Sequence, residues 1–115
     1  MMHTIKASAD IDSLFKDGRR GTSRLTMVLA CQTPKARDLT TGRVLFVAGK
    51  KLGNAVHRNR CKRVLRELCR SLGGPWPGLD VALIARRGLA EADQSAVRHD
   101  LEMALQKAKV AECVS

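Results

Sequence analysis

The chain has 115 residues, 44% of them apolar, with 21 Lys and Arg against 11 Asp and Glu, a formal charge of +10 and a pI near 10.2. That length suits one domain with one core, and that apolar fraction excludes a disordered tail. No apolar run approaches the ~20 residues that span a bilayer, the stretch "MMHTIKASADID" lacks the apolar core of a secretory signal, and the excess charge points to a polyanionic partner.

The charge is not evenly spread. Residues 1–49 hold eight basic and four acidic side chains, and residues 71–115 hold five and six. The 21 residues between them, "KKLGNAVHRNRCKRVLRELCR", hold eight basic side chains against one acid, Glu67. A block this concentrated reads as a docking surface for an anion rather than as general solubility.

In chain order, "ADIDSLFKDG" places Ile11, Leu14 and Phe15 at i, i+3 and i+4, a short amphipathic helix stopped at Gly18. "RRGTS" reads as a basic turn. "RLTMVLAC" alternates as a strand, and "RVLFVAG", bounded by Gly42 and Gly49, is a second β-rich run. A turn within residues 32–42 would join the two as a hairpin. Asn54 is placed to cap the next helix. At 100° per residue from Cys61, Val64, Leu65, Leu68 and Leu72 fall on one stripe, while Arg60, Lys62, Arg63, Arg66 and Arg70, with Asn59 among them, take the opposite arc. One helix therefore carries a core-facing stripe and a cationic back, and the charges sit where burial is not required.

"GGPWPG" is a turn cluster, with Trp76 read as packed on the surface between its prolines. "LDVALIAR" is continuously apolar, as in a strand buried on both faces. A last helix runs from about Asp93 to about Lys109, with Val97, Leu101, Ala104, Leu105 and Ala108 on one side. The order α-β-β-α-β-α predicts an α/β (α+β) sandwich around a small central sheet, one domain over residues 1–115. The order of residues 1–8 and 110–115 is left open.

Nothing in the chain makes a catalytic site of its own. Cys31, Cys61, Cys69 and Cys113 show no C-x-x-C pairing and read as free thiols of a reducing cytoplasm. Asp10 and Asp12 read as caps and dipole partners at a helix start, His57 as packed, and His3 and His99 as isolated. No zinc pattern, Gly-rich phosphate loop or nucleophile elbow is present. Catalytic and metal-ligating residues are accordingly expected to be none. Like charges at i, i+4 such as Lys62–Arg66 and Arg66–Arg70 repel by a few tenths of a kcal/mol per pair, so an anion is needed to offset them. Nucleic acid fits, because Arg matches phosphate oxygens bidentately and each contact releases counterions. With aromatics limited to Phe15, Phe46 and Trp76, backbone and shape readout outweigh base stacking.

The segment "KKLGNAVHRNRCKRVLRE" closely resembles the signature of the bacterial ribonuclease P protein family, in which an R-N-R triplet is followed by basic residues on one helix. The triplet here is Arg58-Asn59-Arg60, followed by Lys62, Arg63 and Arg66. The resemblance extends over most of the chain, through "IDSLFKDG", "GTSRLTMVL" and "LDVALIARRGLAEAD". It implies a sandwich related to ribosomal RNA-binding domains, with an uncommon left-handed strand–helix–strand crossover that the right-handed rule would not suggest. The resemblance also implies the protein subunit of a ribonucleoprotein endoribonuclease, a cytoplasmic hydrolase that removes the 5′ leader of precursor tRNA. The catalytic centre and the Mg²⁺ then lie mainly in the RNA subunit, and the free protein is inactive and monomeric. Its partners would be ribonuclease P RNA and precursor tRNA. The RNA-facing residues implied are Lys50, Lys51, Arg58, Asn59, Arg60, Lys62, Arg63, Arg66 and Arg70, with a leader groove at Ile11, Phe15, Arg58 and Lys62. Ile11 stands where the family usually has an aromatic, and no Tyr occurs in the chain, which weakens expected stacking on leader bases. Phe15 itself reads equally well as a core residue. Two other readings compete: a ribosomal or other structured-RNA binding protein, and a helix-turn-helix DNA binder, the latter opposed by the β character of the segment before the basic helix.

Overall fold

The computed structural model describes residues 8–32, 42–74, 76, 78–108 and 110. Within them the elements follow in the order α1 (Ser8–Asp17), β1 (Arg19–Thr22), β2 (Thr26–Gln32), β3 (Arg43–Val47), α2 (Ala55–Ser71), β4 (Leu79–Ala85) and α3 (Gln94–Lys107), with a 3-10 turn at Lys50–Leu52 leading into α2. The strands form one sheet in the order β1-β2-β4-β3, parallel between β3 and β4 and antiparallel elsewhere. This is the α/β sandwich expected, and β4 is a central strand, in keeping with a sequence that is apolar apart from Asp80.

Three local expectations are corrected. "RRGT" is a strand rather than a turn: β1 pairs with β2 from Arg19↔Ala30 to Thr22↔Met27. As an edge strand it needs no apolar alternation, and its two arginines stay exposed. Gly21 is required there because α3 comes so close that a Cβ would lie 2.1 Å from the Ala104 carbonyl oxygen. β2 and β3 are not hairpin partners, because β4 inserts between them and pairs with all seven residues of β2. The connection from residue 33 to 41 lies outside the described residues, as do residues 1–7 and Cys113. Trp76 is buried, 2% exposed, rather than a surface residue. Its backbone passes over Gly42, and its ring lies near Gly74 and the sulfur of Cys69. The large apolar area of an indole decides where the side chain goes.

The two faces of the sheet are covered unequally. On one, Val28, Val44, Phe46, Val81 and Leu83 meet Cys61, Leu65 and Cys69 of α2 and Val97 and Leu101 of α3. On the other, Leu29 and Ala82 meet the wholly buried Leu14 of α1, with Ile11, Leu45 and Ile84 packed around them. Burying one leucine is worth about 1.5–3 kcal/mol, so a ten-residue α1 is held largely by this anchor. Helix α3 begins at Asp93, whose carboxylate accepts from the Ser95 amide at 3.2 Å and from the Ser95 hydroxyl. Those bonds favour the ionised form and lower the Asp93 pKa.

Buried polar groups tie the layers together. The Asp100 carboxylate, on α3, accepts from the hydroxyls of Ser23 and Thr26, each at 2.8 Å, and from the Leu25 amide at 3.1 Å. Arg43 and Asp80, side by side across β3 and β4, form a buried two-pronged ion pair. Arg19 Nε donates to the Ala108 carbonyl at 2.9 Å, satisfying an acceptor at the end of α3. Val110 is fully buried, so the ordered core reaches beyond α3. No described helix is long and apolar enough to cross a membrane.

Candidate nucleic-acid interface

Helix α2 starts where the Asn54 side chain accepts from the His57 amide at 3.0 Å. Its buried stripe, Cys61, Leu65 and Cys69, faces the sheet. Burial raises the thiol pKa of both cysteines, that of Cys69 to about 11, and at Cys61 the Glu91 carboxylate adds to the rise. These are packed thiols, not nucleophiles.

The rest of the helix divides into two flanks and a ridge. His57, Val64 and Leu68 form the flank toward α3 and the loop that precedes it. There the His57 Nε2 lies 3.6 Å from Glu91 Oε1, and Val64 and Leu68 share a cleft with Gln94, Ser95 and Arg98. Arg58, Lys62 and Arg66 recur every four residues on the other side of the stripe; Arg66 lies 5.5 Å from the Phe46 ring centre, on edge strand β3. Between the flanks stand the exposed Asn59, Arg60, Arg63 and Arg70. Among the described residues, ion pairs form at Arg43–Asp80, His57–Glu91 and Arg98–Glu102. Arg60, Lys62, Arg63, Arg66 and Arg70 take no part in them. Arg58 Nε is shut from solvent and makes no hydrogen bond.

A second basic feature lies on the α1 face of the sheet. Past the reach of α1, Met27, Val47 and Ile84 form the floor of an open trough of about 790 Å³, rimmed by Lys50, Lys51, Arg86 and Arg87. The parallel register explains the gathering of charge: Val47 pairs with Ile84, so the basic residues that follow each strand emerge at the same end of the sheet. Arg86 donates to the Ser23 carbonyl at 2.5 Å, which fixes it on the rim. Sequence reasoning named Lys50 and Lys51 but not Arg86 and Arg87. The "RRG" after the apolar run was the available signal, and it acquires meaning only once β3 and β4 are known to be neighbours.

The positions of the other anticipated residues follow from the same layering. Ile11 is half-buried on α1, and Phe15 beside it is 42% exposed, so Phe15 is not a core residue. Arg58 and Lys62 belong to the layer on the opposite face. The sheet thus separates Ile11 and Phe15 from Arg58 and Lys62. Among the described residues, no three His, Cys, Asp or Glu side chains gather to hold a metal ion. An apolar floor with a cationic rim accommodates a single strand, bases down and phosphates out. An unpaired basic ridge accommodates a folded polyanion.

Residues 2–109 match the family model Ribonuclease P. The ribonuclease P protein component of Streptococcus mutans is 36% identical over 109 residues, covering 94% of this chain and 87% of that protein. That of Staphylococcus epidermidis is 34% identical over 108 residues, covering 94% and 91%. The structure of the Staphylococcus aureus RNase P protein superposes with a TM-score of 0.79 at 30% identity over 100% of both chains. The RNase P protein of Thermotoga maritima gives 0.72 at 28% identity, covering 89% of this chain and 96% of that one. With a family match over nearly its whole length and the same fold in solved relatives, this chain belongs to the ribonuclease P protein family.

Proposed function

We propose that this chain is the RNA-binding subunit of a ribonuclease P ribonucleoprotein, promoting the Mg²⁺-dependent endonucleolytic removal of the 5′ leader from precursor tRNA. Ribonuclease P RNA is its principal partner and holds the catalytic centre and most of the Mg²⁺. Helix α2 binds that RNA through Arg58, Asn59, Arg60, Lys62, Arg63, Arg66 and Arg70, with Lys50 and Lys51 continuing the surface. The leader lies along the α1 face, past Ile11 and Phe15 and over the trough rimmed by Lys51 and Arg87. Arg58 and Lys62 reach it from the edge of β3. The observation that carries the reading is the cationic ridge on α2: a row of exposed guanidinium groups that take part in no ion pair among the described residues calls for phosphate.

The mechanism assigned to the protein is electrostatic and positional. Phosphates neutralised on α2 fix the protein on the RNA. A leader strand held over an apolar floor is presented in one extended path, and part of the entropy of ordering it is met by the protein. Reconstitution tests the reading. At low Mg²⁺, ribonuclease P RNA with the protein is expected to remove the leader of a precursor tRNA much faster than the RNA alone, whereas the protein alone cleaves nothing. Cleavage by the protein without RNA, or an unchanged rate with it, refutes the proposal. Competition between ribosomal RNA and ribonuclease P RNA separates it from a general structured-RNA binder.

A further inference from the structure

Among the described residues, Arg66 is the cation of α2 that lies over an aromatic ring. Its guanidinium carbon lies 5.5 Å from the centre of the Phe46 ring, within the range of a cation–π contact. Phe46 is itself 9% exposed, seated in the core beneath α2 on the edge strand β3. The ring is therefore an immobile platform, and the arginine above it is exposed to solvent.

A carboxylate could also hold an arginine still, but it would occupy the N–H donors and cancel the charge. An aromatic face does neither. It attracts the cation through its quadrupole and leaves the N–H donors available to a phosphate, which a guanidinium can meet bidentately. We propose that Phe46 is a positioning residue for RNA binding, pre-ordering the Arg66 guanidinium for a phosphate of the RNA partner. The proposal rests on the RNA-binding reading of α2 and adds a specific role for a residue of the sheet. Ordering one long side chain before rather than during binding is worth about two- to tenfold in affinity.

The test is a double-mutant cycle on the full chain, with binding to ribonuclease P RNA at fixed salt as the readout. Phe46→Leu keeps the site apolar and removes the ring; it is expected to weaken binding about two- to tenfold. In an Arg66→Ala background the same change should alter affinity by less than about twofold. Phe46→Tyr should bind as the unsubstituted protein does, because it keeps the aromatic face. An equal loss in both backgrounds, no loss from Phe46→Leu, or failure of Phe46→Tyr to preserve binding overturns the proposal. The free protein supplies an independent readout: the Arg66 side-chain protons should be shifted upfield by the ring and lose that shift in Phe46→Leu. If the shift is absent, the platform does not exist. If the shift is present but the unsubstituted protein does not bind ribonuclease P RNA, the RNA-binding reading has failed and takes this proposal with it.

Discussion

Replacing Arg60 and Arg63 together with glutamine removes two exposed cations from α2 without touching the stripe of Cys61, Leu65 and Cys69 that holds the helix to the sheet. Neither arginine takes part in an ion pair among the described residues. The fold should therefore be unaffected, with stability changed by no more than about 0.5 kcal/mol. Binding should change in a defined way. The proposed surface offers eight cations, Lys50, Lys51, Arg58, Arg60, Lys62, Arg63, Arg66 and Arg70. If each meets one phosphate, the slope of log K against log salt is about −7, and affinity falls by about 10⁴-fold between 50 and 200 mM salt. With six cations left the slope is about −5.4, and the same interval costs about 10³-fold. Fluorescence anisotropy of end-labelled ribonuclease P RNA, titrated at four or five salt concentrations in that range, measures both slopes. A weaker affinity with an unchanged slope would mean that the two arginines do not meet phosphate. An affinity insensitive to salt in the unsubstituted protein would remove the electrostatic basis of the reading.

Phe15→Ala should leave the melting temperature nearly unchanged, since the ring is 42% exposed, while weakening the complex with precursor tRNA more than that with mature tRNA; equal losses on both substrates would separate Phe15 from the leader. Asp100→Ala should destabilise the fold by about 3 kcal/mol, because it strands the Ser23 and Thr26 hydroxyls and the Leu25 amide; a denaturant midpoint close to that of the unsubstituted protein would contradict this. The Cys69 thiol, raised from 9.0 to about 11 by burial, ionises in the unfolded chain before it does in the folded one. Its contribution to stability is thus complete below about pH 9 and lost as pH rises toward 11. Denaturation profiles across that interval should be flatter for Cys69→Ala than for the unsubstituted protein, and parallel profiles would show that the thiol is not buried in the folded state.

Much of the local structure was legible because it rests on near neighbours in the chain. The stripe and cationic back of α2 follow from a repeat of 3.6 residues, its start from the Asn54 side chain, and β4 from an apolar run with no polar face to expose. The gathering of cations on one side of α2 was legible for the same reason, since charges at i, i+3 and i+4 must share one helical surface. Elements whose evidence lies elsewhere in the chain were not legible. β1 has two arginines and a glycine in four residues and becomes a strand only because β2 offers it a ladder and α3 packs on Gly21. Trp76 reads as a turn residue until the site between Gly42, Gly74 and Cys69 exists to receive it. The separation of Phe15 from Arg58 by the thickness of the sheet follows from α1 and α2 taking opposite faces, which no periodicity reveals.

The amino-acid order alone determines which residues share a helix face, where α2 is capped, and that one short segment carries most of the net positive charge. Only the tertiary structure decides that β4 lies between β2 and β3, and so that Lys50, Lys51, Arg86 and Arg87 rim one trough and that Arg66 finds the Phe46 ring. The physical reason is the range of the interactions. Helical periodicity and capping act over three or four residues, whereas the pairing of β3 with β4 joins segments more than 30 residues apart, and its outcome depends on how all the apolar faces can be buried at once.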